Sequence, residues 1–511
     1  MKKLINSFVI AFFLASFFLF YFAYQNFLGN KFYYVCFSFI SIFSTIFSFR
    51  EKGFFFEKFL SLYLFLGFWL KFTLFIGLFI NYPPAIGIEN FEFSKDSLNE
   101  LMILSSIPFI SLTFTSLLMN KIKFLQHHIQ NNSLKNIYRD YRILILFLTF
   151  IFILLISITN SYFGIYQKGL VSRLNLPFFI SGFYKWFYLI GSGSIIAIIL
   201  KLELDNFHKV SKKIYLIILF ESFASSIAYL SRALIFNISS IFYGIFKSLN
   251  FKKKNSLETL KLMIFYICVV FILVLSIVVV EKTRSSYFFT DEKIELEIKK
   301  KITEKNFLKN LDSAQIEILD NNLEISKEKI FNNISEKFLK KKFIYKSLQL
   351  IYIRFVGIES LMIVSSYNQL NFQNLKEAFN EKINYKNYNH YYTKYVLREN
   401  KNSGKTFNED RKNLKKDQYT IHVPGIVAFL FYSGSKLFLF ASLIVLSILF
   451  FLFERFVYYC SSGNLILTAF ISHIICYRLI HFGYVPTQSY LFFGSLILTI
   501  FTIFLVNKFL K

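Results

Sequence analysis

The chain alternates between long, almost unbroken runs of apolar residues and short polar segments. A transmembrane helix needs about 17–25 apolar residues in succession, and about twelve runs reach or approach that length. They cover residues 4–24, 32–49, 59–81, 101–119, 143–160, 186–200, 214–231, 233–247, 262–280, 436–453, 463–480 and 489–507. The pattern predicts an all-α polytopic integral membrane protein with about twelve transmembrane helices.

The first run directly follows Met1, Lys2 and Lys3. It is longer than the apolar core of a signal peptide, and no small-residue cleavage site follows it. We therefore expect it to be a retained helix.

The pattern changes between the ninth and tenth runs. Residues 281–424 form an insertion of 144 residues with 27 basic and 19 acidic side chains. We predict a large helical extracytoplasmic loop there, with transmembrane helices 1–9 in residues 1–280 and helices 10–12 in residues 425–511.

Two parts of this loop have patterns of their own. Residues 291–342 space Ile, Leu and Phe among Lys, Glu and Asn, which predicts two or more amphipathic helices. Residues 344–370 are apolar but interrupted by charges, among them Arg354 and Glu359. That pattern suits a helix that lies on, or dips into, the outer face of the membrane.

Composition and charge narrow the class further. The chain is 55% hydrophobic and only 17% charged, which excludes a water-soluble enzyme and a disordered chain. The net charge of the chain is +27. If the N-terminus is inside, the inner segments contain 22 basic residues, and the short outer loops and helix mouths contain 7. Because basic loops stay cytoplasmic, both termini are predicted to be cytoplasmic, and the basic charge faces anionic lipid headgroups and not nucleic acid.

Signatures of bound cofactors are missing from the sequence. The four cysteines lie in or at the ends of apolar runs, with no Cys/His spacing typical of zinc and no Walker P-loop elsewhere. We expect no cofactor and metal-independent chemistry.

Ionisable residues inside apolar runs are functional candidates, because a charge in the bilayer core is costly. Lys71 and Glu221 both lie within runs, and their simplest interpretation is an ion pair with each other. His473 lies near mid-span and is interpreted as a hydrogen-bonded packing residue. Arg478 and His481 are spaced i, i+3 on one helical face and are candidate substrate ligands, while Arg478 also fits a side chain that snorkels to the interface.

Other candidates lie near the outer ends of the runs. Arg173 is in an outer loop, and Lys185 precedes Trp186 at the mouth of the sixth run, where a Lys-Trp pair usually serves as an interfacial anchor. His422–Gly425 leads into Tyr432–Ser435, a strip of small and polar residues that suits the entrance to a cavity.

Four features of the chain occur together. They are Ser231-Arg232-Ala233 at an outer helix junction, the large outer loop, the string Arg354 to Glu359 inside it, and the polar strip that begins at His422. This combination resembles bacterial surface-polysaccharide (O-antigen or capsule) repeat-unit polymerases, the Wzy-type group that shares one broad fold with the O-antigen ligases.

The resemblance implies a glycosyltransferase in the bacterial inner membrane. Its substrates would be oligosaccharides linked to polyisoprenyl (undecaprenyl) diphosphate, and a flippase and a chain-length regulator would be its partners. Arg232 and Arg354, followed by Arg478, would stabilise the leaving diphosphate, because guanidinium groups bind phosphate oxygens bidentately. His422 or Glu359 would accept the proton of the attacking sugar hydroxyl.

The remaining candidates would bind substrate in the same scheme. They are Arg173, Lys185, His481, Tyr432, Tyr391 and Tyr392. For Tyr391 and Tyr392 the alternatives are rings that stack on sugars and members of a disordered Tyr/Asn-rich loop.

Two alternative functions remain open. An O-antigen ligase would use the same arginines. A multi-spanning transporter or lipid-linked sugar flippase usually has internal repeats and short loops, whereas this sequence shows no internal repeat and has an outer insertion of 144 residues.

Overall fold

The computed structural model describes most of the apolar runs and part of the long insertion. The described residues are 16–50, 53–78, 88, 91–120, 132–168, 174, 176–207, 212–231, 236–248, scattered positions between 269 and 283, 356–367, 369–381, 391–392, 396, 423–483 and 486–509. Within these ranges the regular structure is entirely helical. The predicted amphipathic helices of residues 291–342 lie outside the described residues.

The described helices are numbered in chain order. In the first half of the chain they are α1 (16–26), α2 (Lys31–Ser48), α3 (Phe55–Leu78), α4 (Lys95–Asn120), α5 (Asn132–Asp140), α6 (Arg142–Phe163), α7 (Phe178–Trp186, continued by Phe187–Gly191 and Ser192–Phe207), α8 (Lys212–Ala228) and α9 (Phe236–Ser248). In the second half they are α10 (Ile358–Ser365), α11 (Phe372–Phe379), α12 (Gly425–Leu430), α13 (Lys436–Cys460), α14 (Leu465–Ile480) and α15 (Ser489–Phe509).

Seven of the described helices are long and apolar enough to cross a membrane: α2, α3, α4, α6, α7, α13 and α15. Shorter apolar helices occupy Ile214–Ala228 and Leu465–Ile480. The predicted class, a helical membrane protein, is therefore confirmed at this coarser level.

Exposed apolar side chains cover the outside of the bundle. Phe147 on α6, Leu437 on α13 and Leu498 on α15 expose 58%, 77% and 64% of their surface. A helix that is apolar on its outward face needs a lipid environment, since water would penalise each of these side chains. This surface identifies the protein as membrane-embedded.

The centre of the bundle is formed by α3 and α14. Nearly every residue of α14 is buried, and this helix packs against α3, α7, α9 and α13. Gly244 of α9 permits one of these contacts, because a Cβ there would lie 2.6 Å from the Cα of Ile466. Small residues at such crossings let membrane helices approach closely.

Two of the spanning helices contain a π-helical segment. In α3 it covers Phe65–Leu70, and in α7 it covers Phe187–Gly191. Such segments break the regular hydrogen-bond ladder and often occur at functional sites. The sixth apolar run was predicted to begin at residue 186, but α7 begins at Phe178, because exposed Lys185 carries its charge on the helix surface without ending the helix.

The short helix α10 belongs to the apolar part of the long insertion. It is almost completely buried and packs against α4, α12 and the π-helical segment of α3. This packing places the helix inside the bundle, and the predicted position of residues 344–370 at the outer face of the membrane stays a prediction. Lys346 and Arg354 lie outside the described residues.

Candidate functional site

Arg478 lies near the C-terminal end of α14, among aromatic side chains. Its guanidinium carbon is 5.9 Å from the centre of the Phe492 ring. It also interacts electrostatically with the phenol groups of Tyr166, Tyr229 and Tyr477. The buried Nε atom has no hydrogen-bond partner within the described residues, so one donor of this guanidinium is unsatisfied.

Two lysines approach the same place from neighbouring segments. Exposed Lys185 of α7 is close enough to Arg478 for the two charges to repel each other. Lys168, just after α6, donates from Nζ to Tyr477 Oη at 3.4 Å and lies 5.7 Å from the centre of that ring. The ion pairs of the described chain join neither Lys185 nor Arg478 to a carboxylate.

Three cations therefore concentrate at one end of the bundle. We call Lys168, Lys185 and Arg478, with Tyr166, Tyr229 and Tyr477, the cationic cluster. Like charges held together repel one another, so a bound anion would stabilise the arrangement. Phosphate and diphosphate groups have the charge and the acceptor oxygens that such a cluster binds.

Hydrogen bonds fix the loops that carry the cluster. Asn160 donates from Nδ2 to the carbonyls of Tyr166 and Ala228, at 3.0 and 2.7 Å, and its Oδ1 accepts from the Tyr166 amide at 2.8 Å. The Lys168 amide donates to the Tyr229 carbonyl at 2.9 Å. These bonds join the loop after α6 to the end of α8, which places Tyr166 and Tyr229 in a stack with ring centres 5.1 Å apart.

The turn at the end of α8 is strained. Leu230 has φ +55°, a left-handed conformation that is rare for residues other than glycine. The buried Ser231 follows, with its amide bonded to the Ser226 carbonyl at 2.9 Å. Backbone strain of this kind persists where the surroundings enforce it, and it often occurs at functional sites. Arg232 comes directly after Ser231.

The C-terminal end of α14 is also the meeting point of two other segments. The Gly425 amide donates to the Phe482 carbonyl at 3.0 Å, and a Cβ on Gly425 would lie 3.1 Å from Cγ1 of Val356. A Cβ on Gly483 would likewise come into close contact with the ring of Pro424. Val356 and Pro424, which follow the sequence candidates Arg354 and His422 by two residues each, therefore lie beside this part of the structure.

Four of the predicted site residues cannot be placed. Arg173, Arg232, Arg354 and His422 lie outside the described residues. Their roles stay predictions.

Glu359 of α10 forms a buried ion pair with Lys71 of α3. The Lys71 Nζ atom lies 2.6 Å from Oε1 of Glu359, and both side chains are almost fully buried. Burial raises the pKa of Glu359 above its ordinary value, and the Lys71 ammonium opposes that shift. Its second oxygen, Oε2, has no hydrogen-bond partner within the described part of the chain.

This pair corrects the sequence prediction that Lys71 binds Glu221. Glu221 instead accepts hydrogen bonds from Ser222 and Ser225 of its own helix, at 3.1 and 3.0 Å. Helix α10 packs beside the π-helical segment of α3 and brings a carboxylate of the long insertion into the bundle. Lys71 therefore pairs with Glu359.

The three predicted substrate-binding tyrosines lie near Glu359 but face the protein interior. Tyr391, Tyr392 and Tyr432 expose 8%, 4% and 1% of their surface. Tyr391 packs edge-on against Tyr432 at 5.6 Å, and burial raises the pKa of both Tyr392 and Tyr432. No ring face among these three is accessible for stacking in this conformation, so their part in sugar binding stays a prediction.

The Tyr432–Ser435 strip, interpreted from the sequence as a cavity entrance, forms a helix cap. Gly434 has φ +70°, and Ser435 caps α13 by accepting from the Phe438 amide at 3.2 Å. This local structure explains why small and polar residues occur there.

His473 and His481 have different surroundings. Buried His473 forms one hydrogen bond, between its Nε2 atom and Tyr63 Oη, at 2.6 Å. This contact confirms the prediction of a hydrogen-bonded packing residue. His481 lies just past the end of α14, with its ring centre 4.3 Å from that of Tyr477. His481 and Arg478 therefore both border Tyr477, at the rim of the cationic cluster.

Sequence reasoning missed several members of the cluster. Lys168 is one of the seven basic residues assigned to outer loops and helix mouths, but it is not among the predicted site residues. Tyr166, Tyr229 and Tyr477 are not among them either. One signal in the sequence was available: Tyr477 immediately precedes Arg478, and Tyr229 precedes the Ser231-Arg232 string by two residues. Aromatic residues beside basic ones at a membrane boundary are ambiguous, because they also serve as interfacial anchors.

Buried carboxylates at the opposite end of the bundle were also missed. Glu203 of α7 binds Arg142 through two hydrogen bonds, at 2.5 and 3.1 Å, and Glu57 of α3 binds Arg50 at 2.8 and 3.2 Å. Glu454 accepts from the first amides of α3 and so caps that helix. These acids neutralise neighbouring donors and have a structural role.

The described residues include no group of three or more His, Cys, Asp or Glu side chains that could hold a metal ion. Comparison of the chain with protein-family models, curated proteins and solved structures found no match.

Proposed function

We propose that this chain is a membrane glycosyltransferase of the O-antigen polymerase type. In this proposal about twelve helices span the bacterial inner membrane, both termini are cytoplasmic, and residues 281–424 form the extracytoplasmic loop. The enzyme joins polyisoprenyl-diphosphate-linked oligosaccharide repeat units into a surface polysaccharide. The observation that carries the proposal is the cationic cluster at one end of a membrane-embedded helical bundle.

The proposed reaction is a displacement at an anomeric carbon. A hydroxyl of one repeat unit attacks the anomeric carbon of another chain, the bond to the diphosphate oxygen breaks, and its electron pair leaves with the lipid diphosphate. Negative charge grows on the leaving group during this step. Cations already in place stabilise that charge without reorganising, which lowers the barrier.

The three cations of the cluster each have a proposed part in that step. Arg478, with an unpartnered Nε within the described residues, binds the diphosphate oxygens, and Lys168 and Lys185 add positive charge beside it. Arg232 is included because its neighbour Ser231 lies at the cluster.

The proton of the attacking hydroxyl needs an acceptor. Glu359 is buried and paired with Lys71, so its proposed role is to hold α10 in place and not to accept the proton. His422 is therefore our first choice for the general base, since Gly425, three residues further along the chain, is bonded to Phe482 just beyond α14.

A complementation experiment tests the role of Arg478. Wild type and variants are expressed in a cell that lacks the native gene, and the length of its surface polysaccharide is measured on gels. Arg478→Ala should reduce long-chain polymer by about tenfold or more, the range found when a transition-state donor is removed. Arg478→Lys should recover part of it, because lysine keeps the charge but lacks the bidentate fork.

Arg139→Ala is the matched control for that experiment. Arg139 is exposed, pairs with its neighbour Asp140 at 3.4 Å and precedes α6, whereas Lys168 of the cluster follows α6. Its removal should leave polymer length unchanged. Equal polymer from Arg478→Ala and Arg139→Ala at equal membrane levels would refute the assignment of Arg478.

The deletion strain separates the proposed polymerase from the alternatives. Single repeat units attached to the lipid acceptor are the expected product. Long polymer left unattached would identify a ligase. Vectorial uptake of lipid-linked sugar without a new glycosidic bond would identify a transporter.

A further inference from the structure

A second polar site lies at the end of the bundle away from Arg478. A cleft of about 520 Å³ opens between α5, α7, α15 and the turn that joins α13 to α14. It contains Lys201, which follows Lys185 by sixteen residues on α7 and therefore lies about 24 Å further along the helix axis. The cleft and the cationic cluster are thus separate sites near opposite ends of the same spanning helix.

Lys201 is held at the polar end of this cleft. Its Nζ donates to the carbonyls of Ser461 and Ser462, at 3.1 and 2.5 Å, just beyond the end of α13. An ammonium group has three hydrogens, so these two bonds leave one donor. The lysine is therefore positioned before any ligand binds.

Ser462 also lines the cleft, and its hydroxyl group is unsatisfied. It is more than nine-tenths buried, yet its Oγ has no hydrogen-bond partner within the described part of the protein. Ser462 also has φ +54°, a conformation that favours glycine. An unpaired buried hydroxyl is costly, so a ligand that binds Oγ would recover free energy.

The amides of α14 are not available to the same ligand. Asn464 caps this helix by accepting from the amides of Ile466 and Leu467, both at 3.1 Å. A ligand in the cleft therefore binds side chains and not a bare helix N-terminus.

Charge and apolar surface define the chemistry of the ligand. Lys135 and Lys201 bring two positive charges and Asp205 one negative charge, with Lys135 and Asp205 joined at 3.7 Å. The cleft thus has an excess of one positive charge. Its other walls are apolar and include Leu202, Ile503 and Val506. An elongated molecule with one negative charge and a hydrocarbon chain matches both parts.

We propose that this cleft binds the phosphodiester headgroup of an anionic phospholipid, with an acyl chain against its apolar wall. The phosphate oxygens accept from the remaining Lys201 donor and from Ser462 Oγ. The proposal does not depend on the glycosyltransferase reaction.

Native mass spectrometry of the purified full-length protein tests the site. The delipidated protein is titrated with phosphatidylglycerol, and the fraction with one bound lipid is measured. Lys201→Met should weaken binding by about tenfold, since it removes a hydrogen bond to a charged group while keeping the methylene packing. Ser462→Gly should weaken it by about threefold, the effect of one neutral donor.

Ser462→Gly keeps the test decisive if Lys201→Met does not fold, because glycine fits the backbone conformation of residue 462. The matched control is Lys436→Met, which removes an exposed lysine paired with Glu100 at 2.8 Å near the other end of the bundle. Its lipid binding should equal that of wild type.

Two competitors distinguish a lipid from free phosphate. Phosphatidylcholine should bind at least several-fold more weakly than phosphatidylglycerol, and inorganic phosphate at the same concentration should not displace the lipid. Unchanged lipid binding in the folded Ser462→Gly variant, or displacement by inorganic phosphate alone, would overturn the proposal.

Discussion

At the scale of single residues, buried charges decide which parts of the chain must stay together. Lys71 lies in a spanning helix and Glu359 in the long insertion, yet each is the other's ion-pair partner at 2.6 Å. Removing one charge leaves the other buried without its ion-pair partner, which costs more than the pair itself contributes. The pair therefore makes the position of α10 depend on a single lysine of α3.

Removing either member of this pair should destabilise the protein. Lys71→Met or Glu359→Gln alone should lower the free energy of unfolding by about 3–5 kcal/mol, and the double variant should lose less than the sum of the two. Unfolding in detergent micelles with increasing SDS measures all three. Strictly additive losses would show that the two side chains do not interact.

The control for this cycle is the exposed pair of Lys436 and Glu100. Both side chains are about half exposed, at 46% and 52%. Because solvent screens such pairs, Lys436→Met should change the stability by no more than about 1 kcal/mol.

A second residue-scale prediction concerns His473. Tyr63→Phe removes the hydroxyl bonded to His473 Nε2, and His473 Nδ1 already has no partner among the described residues. The variant should lose about 1–3 kcal/mol, the cost of an unsatisfied buried polar group. Tyr490→Phe, at an exposed tyrosine, should lose almost nothing in the same unfolding measurement. Similar stabilities for the two variants would contradict the buried hydrogen bond.

At the scale of elements, a contact between two glycines lets α10 dock on α3. A Cβ at Gly67 would lie 2.8 Å from the carbonyl oxygen of Val356, and a Cβ at Gly357 would collide with the Gly67 carbonyl. Gly67 lies in the π-helical segment of α3, and Gly357 directly precedes α10. Backbone therefore packs on backbone, and the Lys71–Glu359 pair forms one turn away.

Alanine at either glycine should push α10 away from α3. Gly357→Ala should cost about 1–3 kcal/mol, as expected for overpacking, and should make α10 more sensitive to added protease. Gly182→Ala and Gly494→Ala are the controls, because a Cβ at these positions would meet nothing within 4 Å. Protease resistance equal to that of the controls would contradict the docking contact.

The apolar pattern was sufficient to locate helices but not to identify their partners. It predicted the bounds of α2, α3, α6 and α15 to within about four residues, since the thickness of a membrane requires long apolar segments. It also located α4 and α13, but the predicted runs miss the first six residues of α4 and the last seven of α13. It could not show that Glu359 and not Glu221 binds Lys71, because ion-pair partners far apart in the chain leave no periodic signal. It also missed the start of α7, where Lys185 resembles a helix boundary.

At the scale of the whole molecule, two sites of different character lie at opposite ends of the bundle. The cationic cluster around Arg478 is rich in tyrosine, while the cleft around Lys201 combines two lysines with an apolar wall. Charge counting in the loops predicts that the first site faces outward and the second faces the cytoplasm.

Reporter fusions test this orientation. A fluorescent protein fused after residue 511 should fluoresce, since it folds in the cytoplasm, and alkaline phosphatase inserted near residue 310 should be active, since it folds outside. The opposite pattern would place Arg478 on the cytoplasmic side and contradict the proposed topology.

The central claim is that the protein forms glycosidic bonds at the expense of a lipid diphosphate. Its most direct test is purified protein in liposomes supplied with undecaprenyl-diphosphate-linked repeat units and no nucleotide. We predict longer lipid-linked oligosaccharides and one released undecaprenyl diphosphate for each new bond, at a rate that falls about tenfold or more in Arg478→Ala. Intact substrate after incubation with folded wild-type protein would contradict it.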